Sequence, residues 1–123
     1  KRMLYAKPQL SHNLLTKIAE STANYLTAQI SAGVDMVQIF DSWAGILSPE
    51  MYNEYSLFYI SKICEELKRI HTHIPVTVFA KDAFFARQAL SKLNCNVIGL
   101  DWTMDPVESR KIGASSDQSV INN

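Results

Sequence analysis

Parallel α/β architecture is the fold class this sequence predicts, and three observations carry it. Stretches with apolar residues at three- and four-residue intervals alternate with short, nearly continuous apolar runs. The connections between them are short, as right-handed βαβ crossovers require. Each apolar run gives way to polar residues, and parallel strands open onto a binding edge at that end. The expected order is helix, strand, helix, strand, helix, strand, helix.

The first helix is expected from Gln9 to about Ala32, with Leu10, Leu14, Leu15, Ile18, Thr22, Tyr25, Leu26 and Ile30 marking one face. Pro8 suits its first turn and Gly33 its stop. Met36 to Phe40 reads as a buried parallel strand, bounded by Gly33 behind and by Asp41, Ser42 and Gly45 ahead. Ser48, Pro49 and Glu50 then supply an N-cap hydroxyl, a first-turn proline and an acid at the positive end of a helix dipole. The helix they start carries Tyr52, Tyr55, Tyr59, Ile63, Leu67 and Ile70 on one face and ends near His71. Ile74-Pro75 breaks the chain, and Val76 to Ala80 has the β-branched and aromatic content of a second strand. Asp82 is expected to cap a third helix whose stripe is Phe85, Ala86, Ala89, Leu90 and Leu93, with Asn94 as its stop. Val97 to Leu100 is the third strand. Asp105-Pro106-Val107-Glu108 has the form of a capping box and starts a last helix running to about Ile112. From Ala114 to Asn123 the chain is polar, with only Val120 and Ile121 to bury, the pattern of a frayed end.

Composition excludes several classes. At 123 residues, 47% hydrophobic and 20% charged, the chain suits one core. Twelve Lys and Arg balance twelve Asp and Glu, so no basic surface is expected for nucleic acid. No window has the apolar length of a membrane span, and Lys1-Arg2-Met3 leads into no signal-peptide core, so a cytoplasmic setting is the expectation. Cys64 and Cys95 lie far apart in no metal or disulfide spacing and are expected as small packing residues.

Chemistry is expected at the carboxyl edge of the strands. Asp41 and Ser42 follow the first strand, Lys81 and Asp82 the second, and Asp101, Trp102 and Thr103 the third. Helix capping accounts for Asp82 and Asp105, whereas Asp41, Ser42 and Asp101 stand where no following helix needs them. Lys81 at a strand end has the placement of a Schiff-base lysine, but a pair with a nearby carboxylate is the commoner use. His71 and His73 fall at the opposite end and read as a solvated loop, and Tyr52, Tyr55, Phe58 and Tyr59 read as a packing face. There is no dinucleotide fingerprint, P-loop, nucleophile elbow or zinc-protease motif.

Three motifs go further. Gln38 to Gly45 (QIFDSWAG), Phe79-Ala80-Lys81 and Gly99 to Thr103 (GLDWT) resemble the uroporphyrinogen decarboxylases, together with Tyr25 to Gly33 and Leu47-Ser48-Pro49. The likeness runs from about Lys1 to Arg110. It implies a segment of a (β/α)₈ TIM barrel, about three parallel strands with alternating helices, from the later half of a fold that usually takes about 250 residues or more. Residues 1–113 are then expected as partial barrel and 114–123 as a divergent polar tail, since after Lys111 the sequence leaves the family's path toward a further strand. The family's arginine-rich motif, its pyrrole-binding aspartate, its active-site tyrosine and a later histidine find no match here, which implies an incomplete, inactive chain.

The resemblance implies cofactor-free loss of the four acetate carboxyls of uroporphyrinogen III, giving coproporphyrinogen III, in an enzyme that is homodimeric at full length. The difficulty of that reaction is the carbanion left by departing CO₂, which a protonated pyrrole ring can absorb. Ser42 matches a serine that hydrogen-bonds a substrate carboxylate. Asp41, Trp43, Lys81, Asp101 and Trp102 match motif residues and are expected to support the cleft; no residue is assigned to catalysis, and none to a metal. The competing expectations are a corrinoid or cobalamin-independent methyltransferase of the same superfamily, which would bind zinc, and a non-catalytic remnant whose uncovered strand edges associate.

Overall fold

A computed structural model describes residues 1–113 and 118–122. Among these residues four parallel strands form one sheet in the order β1-β2-β3-β4: β1 Val37–Asp41, β2 Val76–Ala80, β3 Val97–Leu100 and β4 Ser119–Asn122. The helices lie between them: α1 Arg2–Ala6, α2 Pro8–Ser31, α3 Pro49–Tyr52, α4 Phe58–Ile70, α5 Arg87–Leu90 and α6 Pro106–Gly113. A single π turn, Asn53–Leu57, joins α3 to α4.

Several boundaries follow from the chemistry expected of them. Ser48 Oγ accepts from the Met51 amide at 3.3 Å, and Asp105 Oδ1 accepts from the Val107 amide at 2.8 Å, so both caps form. Pro8 opens α2, and Gly33, with φ +104°, turns the chain away from its end.

The sheet has two unlike faces. Side chains alternate along a strand, so Val37, Ile39, Val76, Val78, Ala80, Ile98 and Leu100 share the face that the helices cover, and all are buried. Ala19, Ala23, Leu26 and Ile30 of α2, Ile60, Ile63, Cys64 and Leu67 of α4, and Leu90 of α5 complete that core. The opposite face holds Phe40, Phe79, Val97, Gly99 and Ile121, and no helix of the described residues is assigned to it. Phe40 and Ile121 are exposed there, and Phe79 lies over Gly99, where an added Cβ would stand 3.0 Å from its ring. A doubly wound sheet covers both faces with helices. A barrel fills its inner face with the strands' own side chains, and this one-sided arrangement is that of a barrel segment.

Four expectations need correction. The buried face of α2 is Ser11, Ala19, Ala23, Leu26 and Ile30, while Leu10, Leu14, Ile18 and Tyr25 point outward. Small residues let α2 approach α4 closely, which bulky ones on that face would prevent. The third helix shrinks to a 3-10 turn, Phe84–Ala86, and the one-turn α5, although Ala86, Leu90 and Leu93 do bury their stripe. Asp82 caps nothing: it has φ +56°, the one non-glycine residue with positive φ among the described residues, and Ala83 stands at the N-cap of the turn. The tail is not frayed throughout, because Ser119–Asn122 pairs with β3 from Val97↔Ser119 to Leu100↔Asn122. The expectation for 114–117 and 123 lies outside the described residues.

His12 fastens the start of α2 to the π turn. Its ring stacks on Tyr55 at 4.7 Å, its Nδ1 meets the Tyr59 hydroxyl at 2.6 Å, and its Nε2 meets Glu54 at 2.9 Å. No helix of the described residues is long and apolar enough to cross a membrane.

Both cysteines are free and buried. Burial pushes the Cys64 thiol up to about 12 and the Cys95 thiol up to about 11. Iodoacetamide at about pH 8 should therefore alkylate both at least about a hundredfold more slowly in the folded chain than in urea, since only the thiolate reacts. Mass spectrometry over time gives the count; rapid double alkylation of folded protein would contradict this packing.

Candidate active-site edge

The carboxyl ends of β1, β2 and β3 lie side by side, so parallel pairing alone brings Asp41, Lys81 and Asp101 to one edge. Register sets Asp41 opposite Ala80 and Phe79 opposite Gly99. The loops that leave this edge are then tied to one another by backbone. The Lys81 amide donates to the Asp41 carbonyl at 3.0 Å, and the Gly45 amide donates to the Lys81 carbonyl at 3.1 Å.

Ser42 is exposed at the end of β1, and its hydroxyl has no hydrogen-bond partner among the described residues. Asp41 turns the other way, toward the helices, where Ser56 of the π turn donates to its carboxylate. Behind them Tyr52 is fully buried, edge-on to Phe85 at 5.6 Å. Its hydroxyl lacks a partner among the described residues. Burial first, and the nearby Asp41 charge second, push that hydroxyl's pKa upward, so it stays protonated.

Asp101 is the most enclosed charge of the edge, 4% exposed. One carboxylate oxygen accepts from the Asp82 amide, and the other accepts from the Thr103 amide at 2.9 Å and from the Thr103 hydroxyl. Burial alone would raise its pKa. The Thr103 hydroxyl, the Asp82 and Thr103 amides and the Lys81 charge outweigh burial and hold the carboxyl below its ordinary 3.8.

A group whose folded pKa is depressed stabilises the fold above its unfolded value and loses that contribution as pH falls through the folded one. The stability that Asp101 supplies should thus be whole above about pH 5 and fade below the ordinary carboxylate range. Urea midpoints from about pH 6 down to about pH 2 should fall less steeply for Asp101→Asn than for the parent chain. Parallel pH profiles would contradict the assignment.

Lys81 is exposed and forms no direct ion pair among the described residues, so the expected contact with a carboxylate is absent; its charge reaches Asp101 only through space. Four aromatic side chains stand exposed at this end: Trp102 (84%), Trp43 (74%), Phe40 (63%) and Phe84. His71 and His73 lie at the other end of the sheet, beyond α4. Among the described residues no cluster of three or more His, Cys, Asp or Glu side chains is placed to hold a metal ion.

Sequence reading placed Asp41, Ser42, Lys81, Asp101 and Trp102 at the carboxyl ends of the strands, where the structure has them. It missed Ser56 and Gly45, and it misread Asp82. Gly45 carried a usable signal, as a glycine three residues after a strand-end serine; Ser56, on the outside of a helical pattern, carried none.

A family model described as uroporphyrinogen decarboxylase (URO-D) matches residues 1–121, a span that takes in all three strand-end motifs and most of β4. The uroporphyrinogen decarboxylase of Colwellia psychrerythraea is 44% identical over 113 residues, covering 90% of this chain and 32% of its own length. That of Escherichia coli O157:H7 is 43% identical over 113 residues, with the same 90% and 32%. The Schizosaccharomyces pombe protein of that name is 44% identical over 117 residues, 91% of this chain and 33% of its own. The chain therefore spans about a third of the length of these relatives. With barrel-type strands, the three edge motifs and the match along nearly all its residues, the chain belongs to the uroporphyrinogen decarboxylase family.

Proposed function

We propose that the strand-end edge is one wall of a cleft that holds uroporphyrinogen III while its four acetate carboxyls leave as CO₂, yielding coproporphyrinogen III. The observation that carries this reading is Ser42: an exposed hydroxyl without a hydrogen-bond partner among the described residues, at the end of β1 in a loop tied to β2. It donates to a substrate carboxylate. Exposed Lys81 adds a cation to a wall that faces a polyanion. Phe40, Trp43 and Trp102 supply apolar surface for a macrocycle, while Asp41 and Asp101 support the loops from behind.

In each decarboxylation the bond between the acetate methylene and its carboxylate breaks. The electron pair passes into a pyrrole ring protonated beforehand and CO₂ departs; a proton added to the methylene gives the methyl group, and loss of the ring's extra proton restores the pyrrole, so each decarboxylation consumes one proton. Proton transfer and charge stabilisation meet that demand without a cofactor. Within this chain the contribution is binding and orientation, and no residue is assigned to proton transfer. The reading extends to a cytoplasmic, homodimeric enzyme, supported by family membership.

Ser42→Ala tests it. Loss of one hydrogen bond to a carboxylate should weaken uroporphyrin III binding to the chain by about 1–3 kcal/mol, read by fluorescence titration. An unchanged affinity would remove Ser42 from the site.

A further inference from the structure

The loop that carries Ser42 is held from two strands away. Asp101 accepts from the amide of Asp82, and Asp82 sits at φ +56°, a left-handed conformation that any side chain adopts at a cost, aspartate at a smaller one than most. That conformation places Asp82 directly against Gly45: an added Cβ on Gly45 would stand 2.8 Å from the Asp82 carbonyl oxygen and closer still to the Asp82 side chain. The residue before Asp82 closes the contact, its carbonyl accepting from the Gly45 amide at 3.1 Å. A chain of contacts thus runs from β3 to the β2 loop to the β1 loop, and Ser42 lies three residues before its end. Thr103 holds the other oxygen of Asp101 and fixes the carboxylate's aim.

We propose that Asp101 is a positioning residue that acts on Ser42 through the left-handed Asp82 and the side-chain-free Gly45, setting the place of the Ser42 hydroxyl in the cleft. This rests on the functional reading above and adds its geometry. The carboxylate stabilises a backbone conformation that Asp82 would otherwise leave, and Gly45 is the one residue type that lets the β1 loop close onto it. Glycine at position 82 would reach the same φ without help from Asp101.

The test uses three variants of the 123-residue chain and two readouts, amide hydrogen exchange at Gly45 by NMR and the dissociation constant for uroporphyrin III. Asp101→Asn turns an N–H toward the Asp82 amide. It should speed Gly45 exchange and weaken uroporphyrin binding, each by about tenfold, while the Val37 amide at the far end of β1, bonded to Pro75, keeps its rate. Adding Asp82→Gly to Asp101→Asn should return both values to within about threefold of the parent chain, a rescue that a merely stabilising carboxylate does not permit. Gly45→Ala should weaken binding as Asp101→Asn does, with Asp101 intact. Unchanged Gly45 exchange in Asp101→Asn, or failure of Asp82→Gly to rescue it, would overturn the proposal. If the parent chain binds no uroporphyrin, the functional reading falls, and the exchange rates at Gly45 alone still decide whether the brace exists.

Discussion

Tyr52→Ala should lower the stability of the chain by about 3–5 kcal/mol, the largest single loss expected here. Tyr52 is fully buried between the β1 loop and Phe85, whose ring it meets edge-on at 89°. Removing it deletes a large apolar contact and leaves a cavity that the surrounding elements cannot wholly close, because α3 is pinned by the Ser48 cap and the π turn by Ser56 on Asp41. Its hydroxyl makes no hydrogen bond among the described residues, so Tyr52→Phe separates packing from polarity and should change stability by no more than about 1 kcal/mol. Urea unfolding followed by far-ultraviolet circular dichroism reads both. A small domain has only about 5–15 kcal/mol in total, so the alanine variant should be partly unfolded near physiological temperature. Equal losses for the two variants would show that the hydroxyl carries the effect and would overturn the packing argument.

Asp101→Ala comes next, at about 2–4 kcal/mol. The loss has two parts. The Asp82 amide and the Thr103 amide lose a charged acceptor, and the left-handed Asp82 loses what holds it. Asp101→Asn keeps one oxygen, enough for the Thr103 side, and should cost about half as much. The alanine variant should also lose most of the acid-side pH dependence described above. A loss under about 0.5 kcal/mol would put Asp101 among ordinary surface substitutions and remove the brace with it.

Local signals made much of this fold legible. The second and third strands occupy the runs read from β-branched content and flanking breaks, Val76–Ala80 and Val97–Leu100, because a buried parallel strand leaves no polar alternation to confuse it. Ser48 and Asp105 cap because their side chains compete for nearby amides wherever they stand. The face of α2 was not legible. Periodicity finds a helix, but Leu10, Leu14 and Ile18 lie on one side and Ala19 and Ala23 on another, and which side turns inward is set by how close α4 must come. Asp82 misled for a related reason: its partner is Asp101, nineteen residues on, which no local pattern encodes. β4 was missed because two apolar residues among polar ones specify no strand until the edge of β3 offers its backbone. At the site the same division holds. Strand-end position revealed Ser42, Asp41 and Asp101, whereas Ser56 and Gly45 matter only through contacts that the tertiary fold creates.

On the proposed function, one edge of this sheet, where Ser42 stands, receives the tetrapyrrole. An anaerobic titration of isotope-labelled chain with uroporphyrinogen III, followed by amide shifts, tests it most directly. Changes should be confined to Ser42 to Gly45, Lys81 to Asp82 and Asp101 to Thr103, with His71 to Ile74 and Leu93 to Asn96 at the opposite end unmoved. Shifts centred on that opposite end, or none at saturating ligand, would contradict it.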